Sequence, residues 1–255
     1  MKAFSFEIAG DMAFFKKNDA NNIVLTTYNF IHKPAVLGIF GAILGLGGYK
    51  LFDNGETNET VEFYDKLKNF NISIIPFYRK PLKKAIVKYN NSNGLASKEE
   101  GGILQVTEQI IAEPVRYRIV VPELDSFTDD ERELYFELKE SVRKEYSRYP
   151  VYLGKNEFLA YFENFGEFEL KEVAESEVIT NSLVRKNDAE LVEEEFSLLS
   201  VPTYSTTIFE ELPVAFDEFG IYKKDIFMLT EKKIKPLKKE HFWKVQGNGT
   251  TFYIF

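Results

Sequence analysis

The sequence contains no cysteine, only two histidines and a single tryptophan among its 255 residues. Without a thiol it forms no disulfide, holds no thiolate-bound metal and has no cysteine nucleophile, so a reducing cytoplasm is the expected compartment. The histidines, His32 and His241, are far apart in the chain, and neither an HExxH nor a GxSxG motif is present. We therefore expect no metal, no cofactor and no catalytic residue.

Long apolar runs are also missing. The N-terminal sequence MKAFSFEIAGD lacks an apolar core of signal-peptide length. The longest uncharged stretch, Pro34 to Tyr49, has 16 residues, fewer than the roughly 20 that a membrane span requires. We therefore predict a buried helix in this stretch and no association with a membrane.

Positive charge is scarce, since the net charge is −8, and taken alone this disfavours binding to nucleic acid. The acidic excess is concentrated, however, because the segment 167–195 holds ten acidic residues and three basic ones. The segment Arg79 to Lys88 has five basic residues and no acidic one. The local field matters more than the total for a contacting surface. Both segments are either solvated faces or binding surfaces, the basic one for phosphate and the acidic one for a protein.

Apolar and polar residues alternate in several segments, which is typical of strands, and helical signals lie between them. Pro34 suits the start of a helix that Gly47-Gly48 would end, Glu59–Asn69 reads as a short helix, and Thr128 with Glu131 forms a capping box for a third. The predicted strands are Lys2–Glu7, Ile23–Phe30, Ile72–Tyr78, Ala85–Tyr89, Gln105–Ile111, Arg116–Val121 and Val151–Gly154.

This order predicts an α+β fold, a ferredoxin-like or RRM-like βαββαβ palm over residues 1–166. A β-hairpin over 79–115 is inserted in it as a thumb. Residues 167–255 form a β-rich C-terminal part packed on the palm, with extended segments at Val201–Ile208 and Leu212–Phe216 and a closing strand TFYIF.

The first predicted helix carries glycines at positions 38, 41 and 45, spaced so that they share one smooth face. Each glycine inside a helix lowers the stability of the helix by about 1 kcal/mol relative to alanine. Something must therefore approach this face closely. The neighbour is either the chain's own sheet or the backbone of a partner.

Several stretches together resemble one protein family. They are FSFEIAGDMAFFKK, TYNFIHKPAVLGIFGAILGLGGY, KYNNSNGLASKEEGGILQVTEQIIAEPVRYRIVV, YPVYLGKNEF and IFEELPVAFDE. In order and spacing they resemble the Cas-five family (CRISPR-associated protein five) of the RAMP superfamily, and within it the type I-B branch. The resemblance covers most of residues 1–220, and YNFIHKPAVLGIFGAILG and NNSNGLASKEEGG are its most specific parts.

The resemblance implies an RNA-binding structural subunit of the Cascade complex. Such proteins hold the 5′ handle of the crRNA with an RRM-like palm and a thumb hairpin. They contact the backbone subunits and the large subunit, and they meet target DNA only indirectly. The type I-C branch also cuts the precursor RNA, but this sequence looks unlike that branch.

Two other functions stay open from the residues themselves. A metal-independent endoribonuclease needs an acid and a base near the scissile phosphate, and His32, Lys33 and Tyr49 are the candidates for that role. The second alternative is a protein-only scaffold that contacts no RNA.

The candidate RNA-binding residues fall into three groups. The first lies at the N-terminal end of the Pro34 helix, where free N–H groups and the helix dipole favour a phosphate, and comprises Asn29, His32 and Lys33. The second is the hairpin, with Lys83, Lys84 and Lys88 on the stem for phosphates and Asn90, Asn91, Ser92 and Asn93 at the tip for base edges. Further candidates are Lys16, Lys17, Arg116, Arg118 and Lys155, and Phe14, Phe15, Tyr28 and Tyr49 are candidates for stacking on bases.

Overall fold

The computed structural model describes residues 1–18, 23–48, 61–91, 104–192 and 206–255. It shows a mixed α/β protein that is rich in strands. Its helices are α1 (Lys33–Leu44), α2 (Glu62–Leu67) and α3 (Asp129–Arg143). Its strands are β1 (Lys2–Gly10), β2 (Ser73–Pro76), β3 (Lys84–Asn91), β4 (Leu104–Ile111), β5 (Val115–Pro122), β6 (Tyr161–Glu172), β7 (Val184–Arg185), β8 (Ala189–Leu191), β9 (Thr207–Phe216), β10 (Tyr222–Thr230), β11 (Ile234–Pro236), β12 (Phe242–Val245) and β13 (Thr251–Tyr253).

The largest sheet has six antiparallel strands in the order β13-β12-β6-β1-β5-β2. Strand β1 lies in its middle because apolar residues on both of its faces are buried. On one face, the Phe4 ring lies 5.3 Å from that of Tyr135 in α3, and the Phe6 ring lies 6.2 Å from that of Phe40 in α1. Helices α1 and α3 therefore cover this face and form the main core.

The C-terminal part adds two small sheets, β7-β10-β9 and β8-β11. It also extends the large sheet, because β12 pairs with β6 and β13 pairs with β12. Strand β6 itself runs through residue 166, where the sequence analysis placed the boundary between palm and C-terminal part. The two parts therefore share one continuous sheet.

Two of the predicted strands are wrong. Within Val151–Gly154 only one isolated bridge forms, from Tyr152 to Leu159, because the chain turns at Gly154 with φ of +89°. The strand that follows α3 is β6. Within Ile23–Phe30 only the bridges of Leu25 to Glu108 and Thr27 to Lys16 form, so this segment crosses the base of the hairpin instead of joining a sheet.

Local signals place α1 and α3 correctly. Helix α1 has His32 as its N-cap and Pro34 in its first turn, but it ends at Gly45 with φ of +76°, before the predicted stop at Gly47-Gly48. Helix α3 has the predicted capping box between Thr128 and Glu131. Its buried face is Tyr135, Leu138 and Val142. In the described parts of the chain, no helix is long and apolar enough to span a bilayer.

The chain itself supplies the close neighbour of two helix glycines. A Cβ on Gly41 would lie 2.5 Å from the Cβ of Phe63 in α2, and a Cβ on Gly45 would lie 2.4 Å from the Arg148 side chain. A Cβ on Gly38 would meet only the Phe63 ring, at an ordinary 3.8 Å. Helix α2 and the segment after α3, and not the sheet, therefore require these glycines.

We expect Gly41→Ala and Gly38→Ala to change stability in opposite directions. Overpacking against Phe63 should lower the free energy of unfolding of Gly41→Ala by about 1–3 kcal/mol. In Gly38→Ala an interior glycine is removed without a clash, so the free energy of unfolding should rise by up to about 1 kcal/mol. Urea unfolding of both variants measures the difference, and equal effects would show that α2 does not set the requirement.

Candidate nucleic-acid interface

Strands β3 and β4 form the predicted hairpin, paired from Lys84 opposite Ile111 to Asn91 opposite Leu104. Lys83 precedes it, and Lys83, Lys88 and Asn90 are exposed. Among the described residues, neither the Lys83 nor the Lys88 ammonium has an ion-pair partner. The hairpin stem therefore presents positive charge to solvent. The remaining tip residues, Ser92 and Asn93, and the side chain of Asn91 lie outside the described residues.

The base of the hairpin is held to the rest of the fold by two other lysines. The Lys84 ammonium donates to the Thr27 carbonyl oxygen over 3.2 Å, and burial lowers its pKa. The Lys155 ammonium lies 2.7 Å from the Glu108 carboxylate and 3.1 Å from the Tyr89 hydroxyl. Burial lowers the pKa of Lys155, but these two partners raise it by more. Lys84 and Lys155 therefore fix the hairpin's position.

Two further candidates surround the buried carboxylate of Glu210 in β9. The backbone N–H of Asn29 donates to it over 2.9 Å, the Asn29 side-chain amide over 3.0 Å and the Phe30 N–H over 3.3 Å. The Lys17 ammonium lies 3.7 Å away. Burial raises the pKa of Glu210, and these N–H groups together with Lys17 and Lys84 oppose the rise. Asn29 therefore binds a strand of the C-terminal part in this structure.

The Ala35 and Val36 N–H groups at the N-terminal end of α1 are bound within the chain. His32 accepts the Ala35 N–H at Nδ1 over 3.3 Å and the Val36 N–H at its carbonyl oxygen over 3.1 Å, while Pro34 has no N–H. The Lys33 ammonium donates to the Phe255 carbonyl oxygen over 3.0 Å, and burial lowers its pKa to about 8. A phosphate at this helix end would have to displace contacts that already exist.

Arg116 and Arg118 project from β5 on the face of the large sheet opposite α1. Glu7 of β1 lies between them and is 4% exposed, at 2.8 Å from Arg116 and 2.7 Å from Arg118. Glu163 also pairs with Arg116, and the Asn164 amide donates to Glu7 over 3.0 Å. Burial raises the pKa of Glu7, but the Arg118, Arg116 and Asn164 contacts hold it below its usual value. Two carboxylates thus balance the two arginines.

Two of the three residues considered for an endoribonuclease, His32 and Lys33, each have a polar side-chain atom bound within the chain. His32 is buried with its Nδ1 bound to the backbone, and Lys33 is bound to Phe255. The third member, Tyr49, lies outside the described residues. Within the described ranges, no three His, Asp or Glu side chains are placed to hold a metal ion.

The structure also shows a cavity beside α1 that the sequence analysis missed. Lys16 and His32 line it, as do the stacking candidates Phe14 and Phe15. Lining residues that sequence reasoning did not select are Tyr149, Tyr152, Phe216 and Tyr222. A signal existed in YSRYPVY, where tyrosines recur every third residue, at 146, 149 and 152.

Comparison with protein-family profiles finds no match, and neither does comparison with curated proteins. Solved structures do match over nearly the whole chain. A chain of a "CRISPR RNA-guided surveillance complex" has a TM-score of 0.50 at 12% identity, covering 93% of this chain and 92% of that one.

Two further matches have lower TM-scores. A CRISPR protein from Archaeoglobus fulgidus gives 0.49 at 10% identity, covering 99% and 98% of the two chains. A chain of a type III-B Cmr-beta complex bound to cognate target RNA gives 0.44 at 9% identity, covering 92% and 86%. This protein therefore shares its fold with a chain of a CRISPR RNA-guided surveillance complex.

Proposed function

We propose that this chain is a crRNA-binding structural subunit of a type I, and specifically type I-B, CRISPR Cascade complex. In this role it holds the 5′ handle of the guide RNA. The shared fold supports a place in such a complex, and the sequence motifs resemble the Cas-five family. The strand order β6-β1-β5-β2 with helices α1 and α3 on one face supports a ferredoxin-like βαββαβ palm.

The observation that carries the proposal is the hairpin inserted between β2 and β5. Its base is fixed by Lys84 and Lys155, while Lys83, Lys88 and Asn90 remain exposed on the stem. Phosphate contacts need such unpaired ammonium groups, and exposed amides read the edges of unpaired bases. A rigid base with a charged, uncommitted stem fits a clamp for single-stranded RNA.

The acidic segment favours protein partners over RNA. Some of its charge is already balanced within the chain, since Glu167 lies 2.6 Å from Lys139 and Glu177 lies 3.8 Å from Lys233. The remaining acids repel phosphate and suit a basic protein surface. We propose that this side contacts the backbone and large subunits, through which the chain meets target DNA indirectly.

Reversing the charge of the hairpin stem tests RNA binding. In a complex reconstituted with guide RNA, Lys83→Glu with Lys88→Glu should weaken RNA retention about tenfold. It should also lower the slope of log K against log salt by about two, because each lost phosphate contact lowers it by about one. The matched control is Lys235→Glu with Lys239→Glu, which makes the same charge change at exposed positions outside the hairpin. Equal retention by both variants would favour the protein-only scaffold.

A second assay tests the endoribonuclease alternative. We expect purified protein incubated with labelled repeat RNA in EDTA to leave the RNA intact. Site-specific cleavage that is lost in His32→Ala would replace the binding-only proposal with a processing enzyme. Since His32 caps α1, far-UV circular dichroism must show that the variant is folded.

A further inference from the structure

A cavity of about 510 Å³ lies between α1, the Phe14–Phe15 segment and the segment after α3. This volume is within the roughly 300–1,000 Å³ that is typical of ligand pockets. The α1 wall consists of Pro34, Ala35, Gly38, Ile39 and Ala42, of which only Ile39 has a large side chain. Because Gly38 has no side chain and nothing but the Phe63 ring lies within 4 Å of its Cβ position, this wall stays open. A flat group has room to lie along the helix.

The facing walls are aromatic. Phe14 and Phe15 are buried, whereas Tyr149 and Tyr152, which are 54% and 43% exposed, lie where the cavity meets solvent. Buried rings offer apolar faces, and half-exposed tyrosines combine an apolar face with a hydroxyl in water. This arrangement suits a ligand that is itself planar and partly polar, because such a ligand stacks while its polar edge stays hydrated.

One polar side chain is buried in the lining. His32 is 4% exposed and accepts the Ala35 N–H at Nδ1, so the neutral ring carries its proton at Nε2. Burial lowers the pKa of His32 to about 3, so the ring is neutral at physiological pH. Among the described residues, Nε2 has no hydrogen-bond acceptor. The cavity therefore contains an uncharged donor that a ligand's acceptor atom can use.

Lys16 adds a positive charge to the lining. Its side chain is exposed, and no ion pair with it occurs in the part of the chain that the structure describes. An aromatic surface with one hydrogen-bond donor and one nearby ammonium matches a nucleotide: a planar base with acceptor atoms, joined to a phosphate. An apolar side chain of a protein partner would leave the His32 donor buried without an acceptor, which is unfavourable.

We propose that this cavity receives one base of the bound guide RNA, turned out of the strand. The base stacks on the tyrosines at the mouth, one of its acceptor atoms takes the His32 Nε2–H, and Lys16 contacts the adjoining phosphate. This inference rests on the proposed function, which it extends by a base-binding subsite separate from the hairpin.

The test combines damage to the RNA with a cavity-filling substitution. In the complex reconstituted with guide RNA, each 5′-terminal position is replaced in turn by an abasic ribonucleotide, and competition against the unmodified guide measures relative affinity. We expect the abasic substitution at one position to lower the relative affinity about tenfold, which is the usual effect of losing one stacked base. The leucine side chain of Gly38→Leu enters the cavity. In this variant, the abasic substitution at the same position should lower the relative affinity by less than about twofold. Glu133→Leu, the matched control, places a leucine at an exposed position of α3 outside the cavity and should behave as the unmodified protein.

A second variant tests the same cavity independently, in case Gly38→Leu does not fold. Tyr152→Leu removes a half-exposed ring at the mouth and should lower the cost of the same abasic position. The inference is overturned if no abasic position stands out, or if the sensitive position stays sensitive in both variants. It is also overturned if Gly38→Leu instead reduces co-purification with a protein subunit, whichever guide is used. The Lys83→Glu, Lys88→Glu pair reports separately on the proposed function, because its loss of RNA retention needs no cavity.

Discussion

Lowering the pH from 7 to 4.5 should reduce the free energy of unfolding by roughly 2–3 kcal/mol through His32 alone. The unfolded chain takes up a proton at this histidine near its ordinary pKa of about 6.5, whereas burial keeps the folded pKa at about 3. Stability falls wherever the unfolded state binds more protons, at about 1.4 kcal/mol per pH unit. The stabilisation is thus fully present above pH 6.5 and is lost as the pH falls towards 3.

Urea unfolding at a series of pH values measures this slope. His32→Asn removes the titrating ring and keeps a side-chain oxygen for the helix N-cap, a role that asparagine fills well. Its stability should be nearly flat between pH 7 and 5.5, while the unmodified protein loses stability. The control, His241→Asn, makes the same change at the other histidine and should retain the slope. A steep decline in His32→Asn would show that other groups cause the acid sensitivity.

Glu210→Ala should lower the free energy of unfolding by about 3 kcal/mol. The substitution removes the acceptor for three N–H groups, two on Asn29 and one on the buried Phe30. Each buried donor left without an acceptor costs about 1–3 kcal/mol, and partial access of water to Asn29 lowers the sum. The large effect comes from the donors left behind and not from the charge, because burial of the carboxylate is itself unfavourable.

The adjacent residue provides a matched control for this prediction. Glu211 has a side chain that is 62% exposed, and its one ion pair among the described residues is with Lys224 at 3.6 Å. Glu211→Ala should therefore change stability by less than about 0.5 kcal/mol. Chemical denaturation of both variants gives the comparison. If the two cost the same, the contact between β9 and the loop before α1 is not a main support of the fold.

Elements with strong local signals were predicted well from the sequence. The capping box places the start of α3 at Asp129, and the hairpin strands agree with the prediction to within two residues. Strand β6 was missed because its pattern is not a simple alternation. Its pairing with β1 shifts register between Ser5 and Glu7, and Asn164 has φ of +55°. Such an irregularity interrupts the period of two on which strand prediction depends.

The roles of individual lysines could not be predicted in the same way. Lys33 binds Phe255, which is 222 positions away in the chain, and Lys155 binds Glu108, which is 47 positions away. Whether an ammonium is internal or free depends on such tertiary neighbours, which no local pattern encodes. Lys83 and Lys88 have the same residue type and remain uncommitted among the described residues. A basic segment in the sequence therefore predicts a charged surface. The structure shows which lysines of that segment are available to a ligand.

The position of β1 in the large sheet has a consequence for synthesis of the protein. Both neighbours of β1 come much later in the chain, since Ser5 pairs with Val120 in β5 and Ala3 pairs with Phe168 in β6. At about 5–20 residues per second, the ribosome needs on the order of 5–20 s to make β5 after β1. During that time the apolar segment FSFEIA has no strand to pair with. Co-expression of a chaperone that shields nascent chains should therefore increase the yield of folded protein.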